Sequence, residues 1–490
     1  MTPALEAANF ATPLPVLEKA GSKQALLVAG GWVTVAAGAF YAAYASAYTG
    51  FLIVIYLFAL LQLARADTWR RAFYPGLATG LLIAAGQLAF FWRVVGSGAG
   101  ALWLVYAFWI GLFVALARLC LRRLGGAWGW TLVPFVWLGV EYFRSELYYL
   151  RFSWLNAGYA FAAWPWQVPL RHLGMYGMGF VLMSIAAAAA FCWQKSRGGA
   201  AAVLTVGLGG VWLTGWLSAV SPAAHPANAI RLAGIQMEFP TENEVLIRLS
   251  DLLRSHPDIQ LIVLSEYAFD GLVPEQVRAW CREHQLYLIA GGKDPAPGGK
   301  FYDTAFVVGP AGEIIFKQGK AVPIQVIKDG LAAPEQRVWE SPWGRIGICT
   351  CYDLSYTRVT DALVRLGAQA LIVPTMDMAD WGEAQHVLHA RVAPVRAAEY
   401  GVPIFRLASS GISQYADAMG RVRASAPFPG DAAVLSAHLE LADRGRLPFD
   451  RWLAPAAAGL TVALAALFLA MALRRSSKAP DRPTVEVQST

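Results

Sequence analysis

The chain has 490 residues, of which 57% are hydrophobic and only 15% charged, and its mean hydropathy is +0.44. Such a balance excludes a disordered chain and an ordinary soluble protein, and assigns much of the sequence to lipid. The formal charge of +7 would suit nucleic acid. The basic residues, however, collect in short loops between apolar stretches, so the charge is read as membrane topology and contact with anionic headgroups, with no nucleic-acid partner.

Apolar stretches lie near 25–46, 49–65, 75–96, 101–121, 127–143, 174–194, 199–219 and 453–473. About 20 such residues cross a bilayer, which gives eight spans, the second and fifth being short. Ordinary soluble composition fills residues 228–450, a length that suits one domain. The expected organisation is an N-terminal transmembrane domain over 1–227, a soluble domain over 228–450, a transmembrane helix over 451–475 and a polar, disordered tail over 476–490. The first apolar run is span-length and starts after residue 20, so no cleavable signal is expected.

Lysine and arginine in short loops stay cytoplasmic. Lys19 and Lys23 precede the first stretch, Arg65, Arg70 and Arg71 follow the second, Arg122 and Arg123 the fourth, Lys195 and Arg197 the sixth, and Arg474, Arg475 and Lys478 the last. The loops at Ser46 to Gly50 and Gly96 to Gly100 carry no charge. Both termini are thus expected in the cytoplasm and the 228–450 domain on the opposite face, which in a bacterium is the periplasmic side of the inner membrane.

Within that domain strands are expected at 230–236, 260–265, 286–292, 304–309, 313–317, 346–349, 369–374 and 402–408, with helices at 241–255, 274–284, 358–367 and 383–400. The alternation predicts a layered α/β domain with helices outside sheets.

Three reactive residues each close an apolar segment: Glu266 in LIVLSEYAF, Lys320 in GEIIFKQGKAVP and Cys351 in GRIGICTCYDLSY. A strand that ends in cysteine and turns holds a thiol at a sheet rim, and an acid, a lysine and a cysteine there supply a base, an oxyanion stabiliser and a nucleophile for acyl transfer. No metal or cofactor is needed. The other cysteines make no disulfide framework. Cys120 and Cys192 fall in apolar spans, Cys281 in a helix-like segment, and Cys349 is read as a packing residue too close to Cys351 to bridge without strain.

With these residues in view, the outer domain resembles the nitrilase, or carbon-nitrogen hydrolase, superfamily, whose members use a Glu-Lys-Cys triad in an α-β-β-α sandwich. The whole chain, with spans on both sides of that domain, resembles the apolipoprotein N-acyltransferase family. The likeness includes FSWLNAGYAF at 152–161, TMDMADWG at 375–382, Gln385-His386 and Arg396 to Glu399. It implies Cys351 as nucleophile, Glu266 as base and Lys320 as the lysine, with Tyr352, Asp353, Trp381, Gln325 and Trp154 binding substrate or supporting the site. Lys320 is favoured over Lys317 because it stands just ahead of Val322-Pro323, and strand alternation puts the two on opposite faces. The implied partners are a phospholipid acyl donor, a diacylated lipoprotein acceptor and the bilayer, with the protein a monomer.

Two departures stand out. Val322-Pro323 leads to Ile324-Gln325 where the family carries Phe-Gly-Glu, so a second carboxylate is missing or comes from elsewhere. Asp353 replaces the glutamate usual in the acyltransferases, as in soluble nitrilases, and so favours a membrane-tethered amidase as the competing reading. An inactive scaffold or transport module is a third, opposed by the intact triad and by the scarcity of intramembrane charge beyond Arg93 and Glu141. His386 and His389 are read as structural, Arg396 and Glu399 as an ion pair or site residues, and Trp154 and Tyr159 as interface aromatics.

Overall fold

The computed structural model describes residues 22–46, 48–163, 169–219, 229–325, 327–430 and 432–476. Lys19, Lys478, the 227/228 boundary and all but the first residue of the 476–490 tail lie outside them. Each apolar stretch is helical. The first four regions give α1 (Ser22–Ala45), α2 (Ile53–Leu63), α3 (Trp69–Gln87), a short α4 (Phe91–Val95) and α5 (Ala99–Arg123); then come α6 (Gly126–Tyr142), α7 (Leu170–Trp193) and α8 (Arg197–Ala219). Four helical segments among the described residues, Lys23–Ala45, Phe91–Arg123, Leu170–Trp193 and Asp450–Arg474, are long and apolar enough to cross a membrane, fewer than the eight stretches read from sequence. The stretch at 75–96 is not one helix: it breaks after Gln87, and α4 turns the chain beneath the soluble domain.

The soluble domain opens with β1 (Ala229–Ile235), α9 (Glu242–Ser255), β2 (Leu261–Leu264), α10 (Glu275–His284), β3 (Tyr287–Ala296), β4 (Lys300–Val308) and β5 (Ile314–Gly319). A second run follows: β6 (Val338–Ser341), β7 (Gly344–Ile348), α11 (Thr357–Arg365), β8 (Ala370–Thr375), α12 (Glu383–Ala390), α13 (Val392–Tyr400) and β9 (Ile404–Ala408). It closes with β10 (Ser413–Ala416), β11 (Val422–Ala426), β12 (Val434–Glu440) and the apolar α14 (Asp450–Ser476). Thr241 starts α9 with a reciprocal cap, its side chain taking the Glu244 N–H while Glu244 reaches back to the Thr241 N–H.

The strands form two six-stranded sheets, ordered β12-β1-β2-β3-β4-β5 and β11-β10-β9-β8-β7-β6. Parallel pairing holds at β1–β2–β3 and β7–β8–β9, and the flanking pairs are antiparallel. Side-chain alternation divides the core. Ile230, Leu232 and Val263 meet Ile348, Ile372 and Phe405 between the sheets, whereas Ala233, Ile235 and Leu264 face α9 and α10 on the outside. The other outer face, Leu371 and Val373 with Leu363 and Val395, shares one continuous core with the membrane helices. This α-β-β-α sandwich therefore uses the bundle to cover one of its helix layers.

Buried charge ties that junction. Arg396 donates to the carbonyls of Leu354 (3.1 Å) and Ser355 (2.7 Å) and pairs with Glu399 at 2.6 Å, and Glu399 accepts the N–H of Met175 on α7. Arg451 at the start of α14 pairs with Asp361 at 2.8 Å. Arg396 and Glu399 are thus structural, as one of the two sequence readings held.

Candidate active site

Glu266 follows β2, Lys320 follows β5 and Cys351 follows β7, so the three come from strand ends of both sheets and meet at one edge of the sandwich. Two of these turns adopt a left-handed backbone, with φ of 54° at Tyr267 and 52° at Cys351. Such a conformation costs a non-glycine residue about 1–3 kcal/mol, and here it turns the thiol off the strand into the cleft. Gly291 on β3 permits the close approach of the acid: a Cβ there would lie 2.5 Å from the Glu266 Cα.

All three side chains are buried, at 1%, 1% and 3% exposure. The Lys320 Nζ donates to Glu266 Oε1 at 2.7 Å, and Met376, just past β8, donates its N–H to Glu266 Oε2 at 2.6 Å. The Cys351 thiol contacts the Met376 carbonyl at 3.6 Å and lines the same cleft as Glu266. Burial and the adjacent Glu266 carboxylate push the thiol well above its usual value, so it rests protonated. Burial, the largest influence, works against the Glu266 anion, but the Lys320 ammonium together with hydrogen bonds from Asp303, Lys320 and Cys351 outweighs it and holds the carboxyl below its usual range. At Lys320 burial is outweighed by its acidic surroundings, Glu266 first, and the ammonium stays charged.

Two of those acids escaped the sequence reading. Asp303 on β4 and Asp329 lie 3.3 and 2.7 Å from the Lys320 Nζ. With Glu266 they form a trio of carboxyls within 4.8 Å, spaced as for a cation, and the cation at their centre is the ammonium. Burial and the neighbouring Glu266 raise Asp303 well above the carboxylate range, leaving it neutral beside the ionised pair. Asp329 also accepts from the Tyr267 hydroxyl (2.9 Å) and the Ile324 N–H (2.8 Å). It is a second carboxylate at the lysine, four residues beyond Gln325. A charged residue at an inward position of an apolar strand, as in FYDTAFVV, was the available signal for Asp303. Lys317 pairs instead with Asp294 at 3.0 Å, its side chain 41% exposed.

Asp353 does not line the cleft. It is fully buried and accepts N–H groups from Ala321 and Val322 as well as Thr350, so it clasps the lysine loop to the cysteine loop. Its identity therefore carries no information about the acyl acceptor, which removes the support it lent the amidase reading. Cys349 is buried in the core, as expected of a packing residue.

Two clefts meet at Trp381, Ile324 and Ile327. One, open to solvent, holds Cys351, Glu266 and Lys320. The other is apolar and lies between the domain and α4–α5, walled by Phe91, Val94, Leu102 and Trp109 and, from the loop before α7 and the domain, by Trp154, Gln325 and Tyr352. Trp154 is thus a buried wall residue rather than an interface aromatic: its Nε1 donates to Ser355 Oγ at 2.9 Å and its ring stacks on His389. Tyr159 is likewise buried. His389 contacts Asp377 at 2.8 Å, and Asp377 pairs with Arg406, a buried cluster directly behind Met376.

Residues 23–188 match the apolipoprotein N-acyltransferase N-terminal domain and residues 202–449 match carbon-nitrogen hydrolase. The chain is similar to the apolipoprotein N-acyltransferase of Geobacter metallireducens, 26% identical over 477 residues that cover 85% of this chain and 90% of that one. It is also similar to the Nitrosomonas europaea protein of the same name, at 25% over 417 residues, covering 72% and 81%. Among solved structures, Nit3 of Saccharomyces cerevisiae, a nitrilase-superfamily member, aligns over 45% of this chain and 93% of its own at 19% identity and a TM-score of 0.37. The chain belongs to the carbon-nitrogen hydrolase family and is an enzyme of that superfamily.

Proposed function

We propose that this chain is an apolipoprotein N-acyltransferase, moving an acyl chain from a phospholipid through a thioester on Cys351 to the amino-terminal amine of an S-diacylglyceryl-cysteine lipoprotein. In the first half-reaction Glu266 takes the thiol proton as Sγ attacks the ester carbonyl. Lys320 and a backbone N–H beside Tyr352 face the developing oxyanion. The carbon–oxygen bond breaks, the proton passes from Glu266 to the leaving oxygen, and a lysophospholipid departs. In the second, the amine attacks the thioester carbon, the carbon–sulfur bond breaks, and the amine proton returns through Glu266 to the sulfur. The work is done on the side of the membrane away from both termini.

The observation that carries this reading is the apolar cleft joined to the thiol cleft at Trp381. A small amide has no use for an apolar cleft walled by α5, whereas a donor with fatty chains needs one beside the nucleophile. The test is incubation with phospholipid labelled in its acyl chain. Hydroxylamine-sensitive label should appear on the protein and leave on addition of a diacylated lipopeptide with a free amine, but not of its N-acetyl form. Loss of label at the same rate without lipopeptide would make water the acceptor and the protein a hydrolase.

A further inference from the structure

The loop from Ile324 to Asp329 runs along the seam of the two clefts. Ile324 and Ile327 line both, Gln325 only the apolar one, and Lys328 and Asp329 only the one that holds Cys351. Three lysines stand on the wall of that second cleft, and two are committed. Lys320 is enclosed by Glu266, Asp303 and Asp329, and Lys293 pairs with Asp270. Lys328 is exposed and enters no ion pair or side-chain hydrogen bond among the described residues. An ammonium that faces a cleft with no acid beside it is open to an anion from outside. The donor brings one. With its chain in the apolar cleft and its ester at Cys351, a glycerophospholipid crosses the seam, and its glycerol unit sets the phosphodiester only a few bonds from the reacting carbonyl, on the side where Lys328 stands. That cleft already holds the Glu266 carboxylate, kept charged against burial by the Lys320 ammonium and its hydrogen bonds. A phosphodiester entering there meets a like charge, and a cation of its own offsets the repulsion.

We infer that Lys328 holds the phosphodiester of the acyl donor, and so selects a phospholipid over an uncharged ester in the first half-reaction while taking no part in the second, whose acceptor carries no phosphate. The inference rests on the acyltransferase reading, which fails by itself if the wild-type protein takes no acyl label from phospholipid. Given labelling, the donor for the test is a zwitterionic phospholipid dispersed in uncharged detergent, where no anionic surface attracts the lysine. From it Lys328→Gln should acquire label about five- to tenfold more slowly than wild type, as expected for one lost charge-assisted contact at an exposed site. Lys328→Arg should restore the rate. Labelling of Lys328→Gln from a water-soluble short-chain ester without phosphate, and discharge of its acyl enzyme by a diacylated lipopeptide, should stay within about twofold of wild type. Unchanged labelling from phospholipid, or no rescue by Lys328→Arg, overturns the inference. So does an equal loss with the uncharged ester or in the discharge step, which would make Lys328 a general support of the thiol cleft. A loss confined to anionic vesicles overturns it too, since the lysine would then answer to the membrane surface and not to the donor's phosphate.

Discussion

Asp353 and Val322 are joined by a 2.7 Å bond from the Val322 N–H to the Asp353 carboxylate. Through it the loop that carries Lys320 is held to the turn that carries Cys351. Burial raises the Asp353 carboxyl to about 6, although the N–H groups of Ala321, Val322 and Thr350 oppose the rise. Asp353→Ala would leave those N–H groups buried and unmet, and should cost about 2–4 kcal/mol of stability together with most activity. Thermal unfolding of the detergent-solubilised protein reads the loss. An unchanged midpoint with reduced activity would mean that Asp353 acts on substrate after all.

The two cysteines should part cleanly. Cys351 lines the thiol cleft while Cys349 is packed in the core. Cys351→Ala is expected to abolish hydroxylamine-sensitive label from acyl-labelled phospholipid, and Cys349→Ala to retain it. Label surviving in Cys351→Ala would sink the nucleophile assignment.

Lys320→Met removes the single cation at the centre of three buried acids and should lower kcat/KM by about a thousandfold or more. Lys317→Met breaks only a partly exposed pair with Asp294 and should stay within about twofold. A comparable loss in both would return the choice between the two lysines to open competition.

Acid dependence follows from Glu266. In the proposed mechanism its ionised form is the base, and Lys320 with neighbouring hydrogen bonds keeps its pKa depressed. Acylation should therefore persist as the pH falls to the usual glutamate range and fail only below it, where the carboxylate takes its proton. In Lys320→Met the largest influence opposing burial is lost, so the acid limb of the residual labelling rate should shift to higher pH. A limb that stays in place would remove Lys320 as the cause.

Filling the apolar cleft tests its role directly. Val94 and Leu102 face it from α4 and α5. Leu102→Trp should cut labelling from long-chain phospholipid by about tenfold, through overpacking against the chain, while a water-soluble short-chain ester still acylates Cys351. Equal loss with both donors would mean that the cleft does not hold the chain.

Orientation is a separate matter. A reporter active only outside the cytoplasm should be on when fused after residue 221 and off when fused after Lys478. The opposite pattern would overturn the topology.

What the residues announced by themselves was local. Runs such as LIVL at 261–264 and ALIVPT at 370–375 are strands because both faces are buried, and continuous apolar runs are legible without context. The reactive residues closing such runs were visible for the same reason, so Glu266, Lys320 and Cys351 stood out. Strands β10 and β11 were not, since they are short, partly polar and near a sheet edge, where pairing rather than composition makes a strand. The helix expected at 383–400 is two helices that meet at Arg391, a joint no periodicity marks.

Tertiary structure alone decided the environment of the thiol. Asp303, Lys320 and Asp329 lie on successive strands and loops and join the distant Glu266 only when β4 and β5 pair and the loop after β5 folds back, which puts three acids around one ammonium. The direction of Asp353, away from the cleft, is a matter of which backbone N–H groups lie within its reach. The apolar cleft needs α4, α5 and the soluble domain at once, and its depth depends on a break after Gln87 inside what reads as one apolar stretch. Hydrophobic periodicity reports which residues are buried, but not against which partner, and both the charge balance of this site and its path to lipid are set by partners.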